Sequence, residues 1–96
     1  MATVQASYFT KNGATEWGNC NAAPTDDMRV ETIVTFPVSE KGVQWYVNWR
    51  LTKNDGTVIV TSSVFALATA VTTFISLRLN LTPGTHTINT VNLGRI

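Results

Sequence analysis

Ninety-six residues give one domain, spanning 1–96, with room for a single hydrophobic core and no second one. Seven Lys and Arg against six Asp and Glu leave a net charge of +1, so the chain lacks the electrostatic footprint that nucleic acid or an anionic membrane surface would select. Charged residues are 14% of the chain, against roughly a quarter in ordinary domains, while Thr occurs sixteen times and Val eleven, which favours strands over helices.

The single cysteine, Cys20, excludes an internal disulfide and a thiolate-rich zinc site, and it reads as a small apolar filler. No window reaches the run of about eighteen apolar residues that a membrane span needs, and no basic segment followed by an apolar one opens the chain. No export signal and no membrane insertion are expected.

In chain order, residues 2–10 and 14–19 flank Asn12-Gly13, a pair that tolerates positive φ at both corners of a type I′ turn. That turn predicts a hairpin with Thr10 opposite Thr15 and an aromatic pair, Tyr8 and Trp17, on one face. Residues 21–27, with Pro24 and the acidic turn formers Asp26 and Asp27, read as a loop. From 28 to 38 the set Met28, Val30, Thr32, Val34, Phe36 and Val38 alternates with Arg29, Glu31, Ile33 and Thr35, which predicts a half-buried strand limited at its end by Pro37. The four-residue turn 39–42 leads into the next strand, so the two are expected to be antiparallel neighbours.

The stretch 43–51 is the expected centre of the core, with Val43, Trp45, Val47, Trp49 and Leu51 on one face and Gln44, Tyr46, Asn48 and Arg50 on the other. Asn54-Asp55-Gly56 reverses the chain into Val58-Ile59-Val60. A type I′ loop there pairs Leu51 with Val60, and a three-residue bulged loop pairs it with Ile59. Residues 64–70 read as a connection or short turn. Alternation returns over 71–81, with Val71, Thr73, Ile75, Leu77, Leu79 and Leu81 inward and Thr72, Phe74, Ser76, Arg78 and Asn80 outward. Thr82-Pro83-Gly84 fits a type II turn, and a last strand is expected over 85–93.

Strands at short spacing, separated by turn chemistry, predict an all-β antiparallel β-sandwich or small barrel. The stretch Ser76-Leu77-Arg78-Leu79-Asn80-Leu81-Thr82-Pro83-Gly84-Thr85-His86-Thr87-Ile88 resembles the "L-x-L-x-x-G-x-H-x-I" crossing between sheets of many bacterial and phage immunoglobulin-like β-sandwich modules. The resemblance implies an immunoglobulin-like sandwich of about six to seven strands, with His86 at the corner between sheets and Trp45 or Trp49 as the buried tryptophan. It also implies one further strand after about Leu93. The count is then one strand short, to be filled by the hairpin 2–19 or left as an open edge, with the apolar tail 91–96 free to donate contacts to a neighbour.

Catalysis needs an activated group, and the candidates are His86, Cys20, five serines and six carboxylates, none in a recognisable catalytic setting. Asp26-Asp27 lacks the alternating ligand series of a calcium loop and reads as a turn. No enzyme activity, cofactor or metal is expected. Asn80-Leu81-Thr82 matches the glycosylation pattern, which carries no weight without export. The outward side chains Tyr46, Asn48 and Arg50 on one strand, and Phe74 and Arg78 on another, combine residue types that recur at binding hot spots. The expected function is a structural or assembly subunit acting through protein–protein contacts, such as a virion decoration, fibre or tail module or a surface-filament domain. Its partners are expected to be copies of itself or a larger assembly, at a virion or cell surface. The alternative is a carbohydrate- or protein-binding module with Trp17, Tyr46 and Trp49 as stacking platforms, although alternation turns Trp49 inward.

Overall fold

A computed structural model describes residues 2–37, Ser39, 42–66 and 72–96, and these form eight strands in two antiparallel sheets of four. The strands are β1 (Thr3–Lys11), β2 (Ala14–Glu16), β3 (Asn19–Ala22), β4 (Met28–Thr35), β5 (Gln44–Lys53), β6 (Val58–Ala66), β7 (Thr72–Leu79) and β8 (Gly84–Arg95). The first sheet has the order β2-β1-β4-β7 and the second β3-β8-β5-β6. The result is an all-β two-sheet sandwich, consistent at this coarse level with an immunoglobulin-like fold. The expected inward positions at Val38 and Val71 and residues 40 and 41 of the turn 39–42 lie outside the described residues. Of the connection expected over 64–70, Val64, Phe65 and Ala66 instead complete β6, and 67–70 lie outside the described residues.

Local sequence sets the hairpins. Asn12 and Gly13 adopt φ of 51° and 86°, both positive as a type I′ turn requires, and Thr10 sits opposite Thr15. The β5–β6 hairpin takes the three-residue loop, pairing Leu51 with Ile59. Gly56, at φ 91°, supplies the left-handed residue of that loop, and the Asp55 carboxylate accepts the Thr57 backbone N–H at 2.9 Å.

Strands 28–38 and 43–52 are not neighbours, contrary to the reading of their short connection. Strand β4 pairs with β1 and β7, and β5 with β6 and β8. Both strands carry an unusually apolar face, and stacking those faces buries both at once, whereas side-by-side pairing would leave each needing another cover. Met28, Val30, Thr32, Val34 and Phe36 thus face Trp45, Val47, Trp49 and Leu51 across the core, all at most 8% exposed. Each fully buried Val, Leu or Met stabilises the fold by about 1.5–3 kcal/mol. Phe36 packs edge-on against Trp45 and Phe65 at the end of this layer, with ring centroids 5.6 and 5.8 Å apart.

A polar bridge crosses the same core. The Trp49 indole N–H donates to Thr32 Oγ1 at 2.6 Å, Thr32 and Ser7 hydroxyls lie 2.9 Å apart, and Ser7 in turn donates to the Glu31 carbonyl. Near the start of β8, buried His86 donates from Nε2 to the Thr82 carbonyl at 2.8 Å. The type II turn expected there is not formed: Gly84, at φ 137°, is already the first residue of β8.

Two further expectations are corrected. Residues 19–22, of which 21 and 22 were read as loop, form β3, pairing Cys20 with His86 and Ala22 with Gly84 on the flank of β8. The tail is not free: Val91, Leu93 and Arg95 sit opposite Trp49, Val47 and Trp45, and the Ile96 N–H bonds the Gln44 carbonyl at 3.1 Å. The expected gap beside the last strand is filled by β3 from the N-terminal part of the chain, and eight strands form where six to seven were expected.

Candidate interaction surface

Strand β5 runs through the middle of its sheet and turns Tyr46, Asn48 and Arg50 outward. Each is the centre of a row across the sheet: Val64, Tyr46 and Gly94; Ser62, Asn48 and Asn92; Val60, Arg50 and Thr90. Phe74 and Arg78 lie on β7, on the outer face of the other sheet, opposite Ile33 and Arg29. The five candidate binding residues are therefore divided between opposite faces of the sandwich and do not make one site. Arg78 is also engaged, since its Nε lies 3.7 Å from Asp27 Oδ1, which lies 3.5 Å from Arg29 Nε.

The outer face of the first sheet holds the aromatic pair foreseen for the first hairpin. Trp17, 65% exposed, rests against Tyr8 with ring centroids 4.8 Å apart. Tyr8 is buried beneath it and its hydroxyl donates to the Glu31 carboxylate, which pushes the phenol up to about 12, with burial adding to the effect. Trp49, considered as a stacking platform, is fully buried and offers no ring to a ligand.

A groove of about 410 Å³ opens at one end of the sandwich between residues 23–28 and 78–83. Its acidic residues are engaged rather than poised. Asp26 accepts the Ala23 backbone N–H at 2.8 Å and the Asn12 side-chain amide at 2.9 Å, which together hold its carboxyl below the usual value. Among the described residues no three or more His, Cys, Asp or Glu side chains converge as metal ligands. Cys20 and His86 are cross-strand neighbours, but burial pushes the Cys20 thiol up, the opposite of what activates a nucleophile.

The two lateral sides of the sandwich differ. On one side, where β1 and β8 approach each other, the edge is interrupted by two short strands, β2 of three residues and β3 of four, and by register shifts in β1 between Val4 and Ala6 and in the β5–β8 ladder. Short edge strands and bulges are devices that discourage pairing with another chain. On the other side, β6 and β7 form the edges of their sheets with unbroken registers of nine and eight residues. No charged residue occurs from Gly56 to Leu77, and neither strand contains Pro. Among the described residues, seven large apolar side chains are exposed, and four of them, Val58, Val60, Val64 and Phe74, lie on these two strands. The apolar run at 58–60 was visible in the sequence, but its exposure was not. The signal that could have revealed it is the uncharged interval between Asp55 and Arg78.

No family model, curated protein or solved structure matches this chain.

Proposed function

We propose that this protein is a non-enzymatic structural or assembly subunit that works through protein–protein contacts along its β6–β7 side. One observation carries the reading: four of the seven large apolar side chains exposed among the described residues sit on two regular edge strands that contain no Pro and whose one charged residue is Arg78, near the end of β7. Such an edge presents unpaired backbone donors and acceptors in a flat row, and a protein that has to stay monomeric protects such a row with Lys, Pro or a bulge. Here those devices are found on the opposite side. The net charge of +1 offers little repulsion between copies. The resemblance of residues 76–88 to bacterial and phage immunoglobulin-like modules suits a virion or surface-filament component. Static light scattering on the whole chain at tens of micromolar tests the reading. A mass that is a multiple of 10.5 kDa is expected, and a strict monomer counts against it.

A second reading is favoured by Trp17. Its exposed indole, held by Tyr8 beside Glu31, is a rigid apolar plate with an adjacent hydrogen-bonding group, the elements of a carbohydrate or protein contact. Glycan-array binding that is lost in Trp17→Ala while the chain stays monomeric would favour this alternative.

A further inference from the structure

We propose that the partner along this side is a second copy of the same chain, joined by antiparallel β6–β6 pairing about a two-fold axis through Ser62. The inference deepens the assembly reading and rests on it.

The argument comes from the sequence of β6 and the face each residue occupies. Val58, Val60, Ser62, Val64 and Ala66 are exposed on the outer face, and Ile59, Thr61, Ser63 and Phe65 alternate with them toward the core, half-buried. A two-fold axis perpendicular to the sheet keeps outward residues outward, so it has to pass through a residue and not between two. With the axis at Ser62 all nine residues overlap, and every pair is alike in chemistry. Val60 meets Val64 of the second copy, Val58 meets Ala66, Ile59 meets Phe65, Thr61 meets Ser63 and Ser62 meets itself. Moving the axis by one residue shortens the overlap and mixes the classes. About Thr61, Val60 falls opposite Ser62 and Ile59 opposite Ser63, and about Ser63, Val64 falls opposite Ser62 and Phe65 opposite Thr61. Directly opposed like pairs are the unit that stabilises an antiparallel ladder, so Ser62 is the register the strand specifies.

The neighbouring strand extends the match. Val60 lies beside Arg50 and Val64 beside Tyr46 in the β5–β6 register, and Ser62 lies beside Asn48. Pairing at Ser62 therefore makes a continuous outer row of Tyr46, Val64, then Val60 and Arg50 of the second copy, with the same row repeated by symmetry. Between them runs a polar row of Asn48, Ser62, Ser62 and Asn48. Val60 and Val64, 67% and 60% exposed in the single chain, cover each other across the interface. This places the three outward residues of β5 in rows that continue across the junction, and it joins the β3-β8-β5-β6 sheets of the two copies into one of eight strands.

The test uses three substitutions in the whole chain. Ser62→Cys places one thiol on the axis, where opposed Cβ atoms lie about 4.5–5.5 Å apart, within reach of a disulfide after small adjustment. Mild oxidation is expected to give a covalent dimer of twice 10.5 kDa, while the wild-type chain, whose Cys20 is buried, gives none. Val60→Lys puts a protective charge on the edge and is expected to return the mass to that of the monomer while the chain stays cooperatively folded, since Val60 is exposed. Val4→Lys, on the opposite side, is the control and leaves the mass unchanged. An associated wild-type chain whose mass survives Val60→Lys, or whose Ser62→Cys variant forms no covalent dimer, overturns β6 self-pairing and leaves assembly through another edge standing. A monomeric wild-type chain overturns both.

Discussion

Tyr46 lies across Gly94 of the neighbouring strand, its ring occupying the space that a β-carbon at position 94 would need. Gly94 is not at positive φ, so the position needs glycine for the close approach and not for its backbone freedom. Gly94→Ala is expected to push the ring off the sheet and to destabilise the fold by about 1 kcal/mol, the low end for overpacking because a half-exposed ring can swing outward. Denaturant unfolding measures this. In a Tyr46→Ala background the same substitution should cost less, and equal costs in both backgrounds would show that the contact is not what selects glycine.

This pair also illustrates what sequence alone conveys. Period-2 alternation placed Tyr46 outward and Trp45 and Trp49 inward, because the two faces of a strand differ in polarity wherever one is buried. The first hairpin was legible for a different reason: Asn12-Gly13 constrains its own backbone, so Thr10 opposite Thr15 follows from the turn alone. Alternation says nothing, however, about which strand lies alongside. Strand β4 was placed beside β5 on loop length, yet the two stack through their buried faces. Strand β3 was missed because four residues, of which only Cys20 and Ala22 turn inward, carry too little pattern of their own, and its conformation is imposed by pairing with β8. The candidate surface was half legible. Tyr46, Asn48 and Arg50 were found on their strand, but the exposed valines beside them depend on β6 being an edge, a property of topology.

Trp49 joins the sheets twice, through its buried ring and through its indole N–H to Thr32. Trp49→Ala is expected to cost about 3–5 kcal/mol, comparable to the whole stability of a small domain, and to leave the chain largely unfolded at ordinary temperature. Thr32→Val keeps the shape but leaves the indole N–H buried and unpaired, at a cost of about 1–3 kcal/mol. Adding Trp49→Phe to Thr32→Val should then cost less than the two single changes combined, as calorimetry on the three variants would show.

Cys20 faces inward on β3 and burial raises its pKa, so in the folded chain it is a poor nucleophile. A thiol reagent at neutral pH is expected to leave it unmodified until denaturant is added, at which point one thiol per chain reacts. Rapid labelling of the native protein would show instead that β3 leaves the edge of β8 easily. That result would open the backbone of β8 near His86 as a second pairing site.

The last expectation concerns alkaline pH. The Tyr8 phenol is raised from 10.0 to about 12, chiefly by its hydrogen bond to Glu31 and next by burial. Below about pH 10 the phenol is neutral in both folded and unfolded chains, and its contribution to stability is fully present. Between about 10 and 12 the unfolded chain has lost this proton while the folded chain keeps it, so stability falls with rising pH. Above that window both forms are ionised and the contribution is gone. Denaturant unfolding at steps from pH 8 upward should therefore show a decline that begins near pH 10. Tyr8→Phe is expected to be less stable than wild type at pH 8, having lost the bond to Glu31, and to decline less steeply, so that the two curves converge. Because Trp17 rests on the Tyr8 ring, its fluorescence in the folded wild-type chain should shift only as the folded phenol ionises near pH 12, and not in the variant. Parallel curves would mean that the Tyr8 proton is not retained by the folded state.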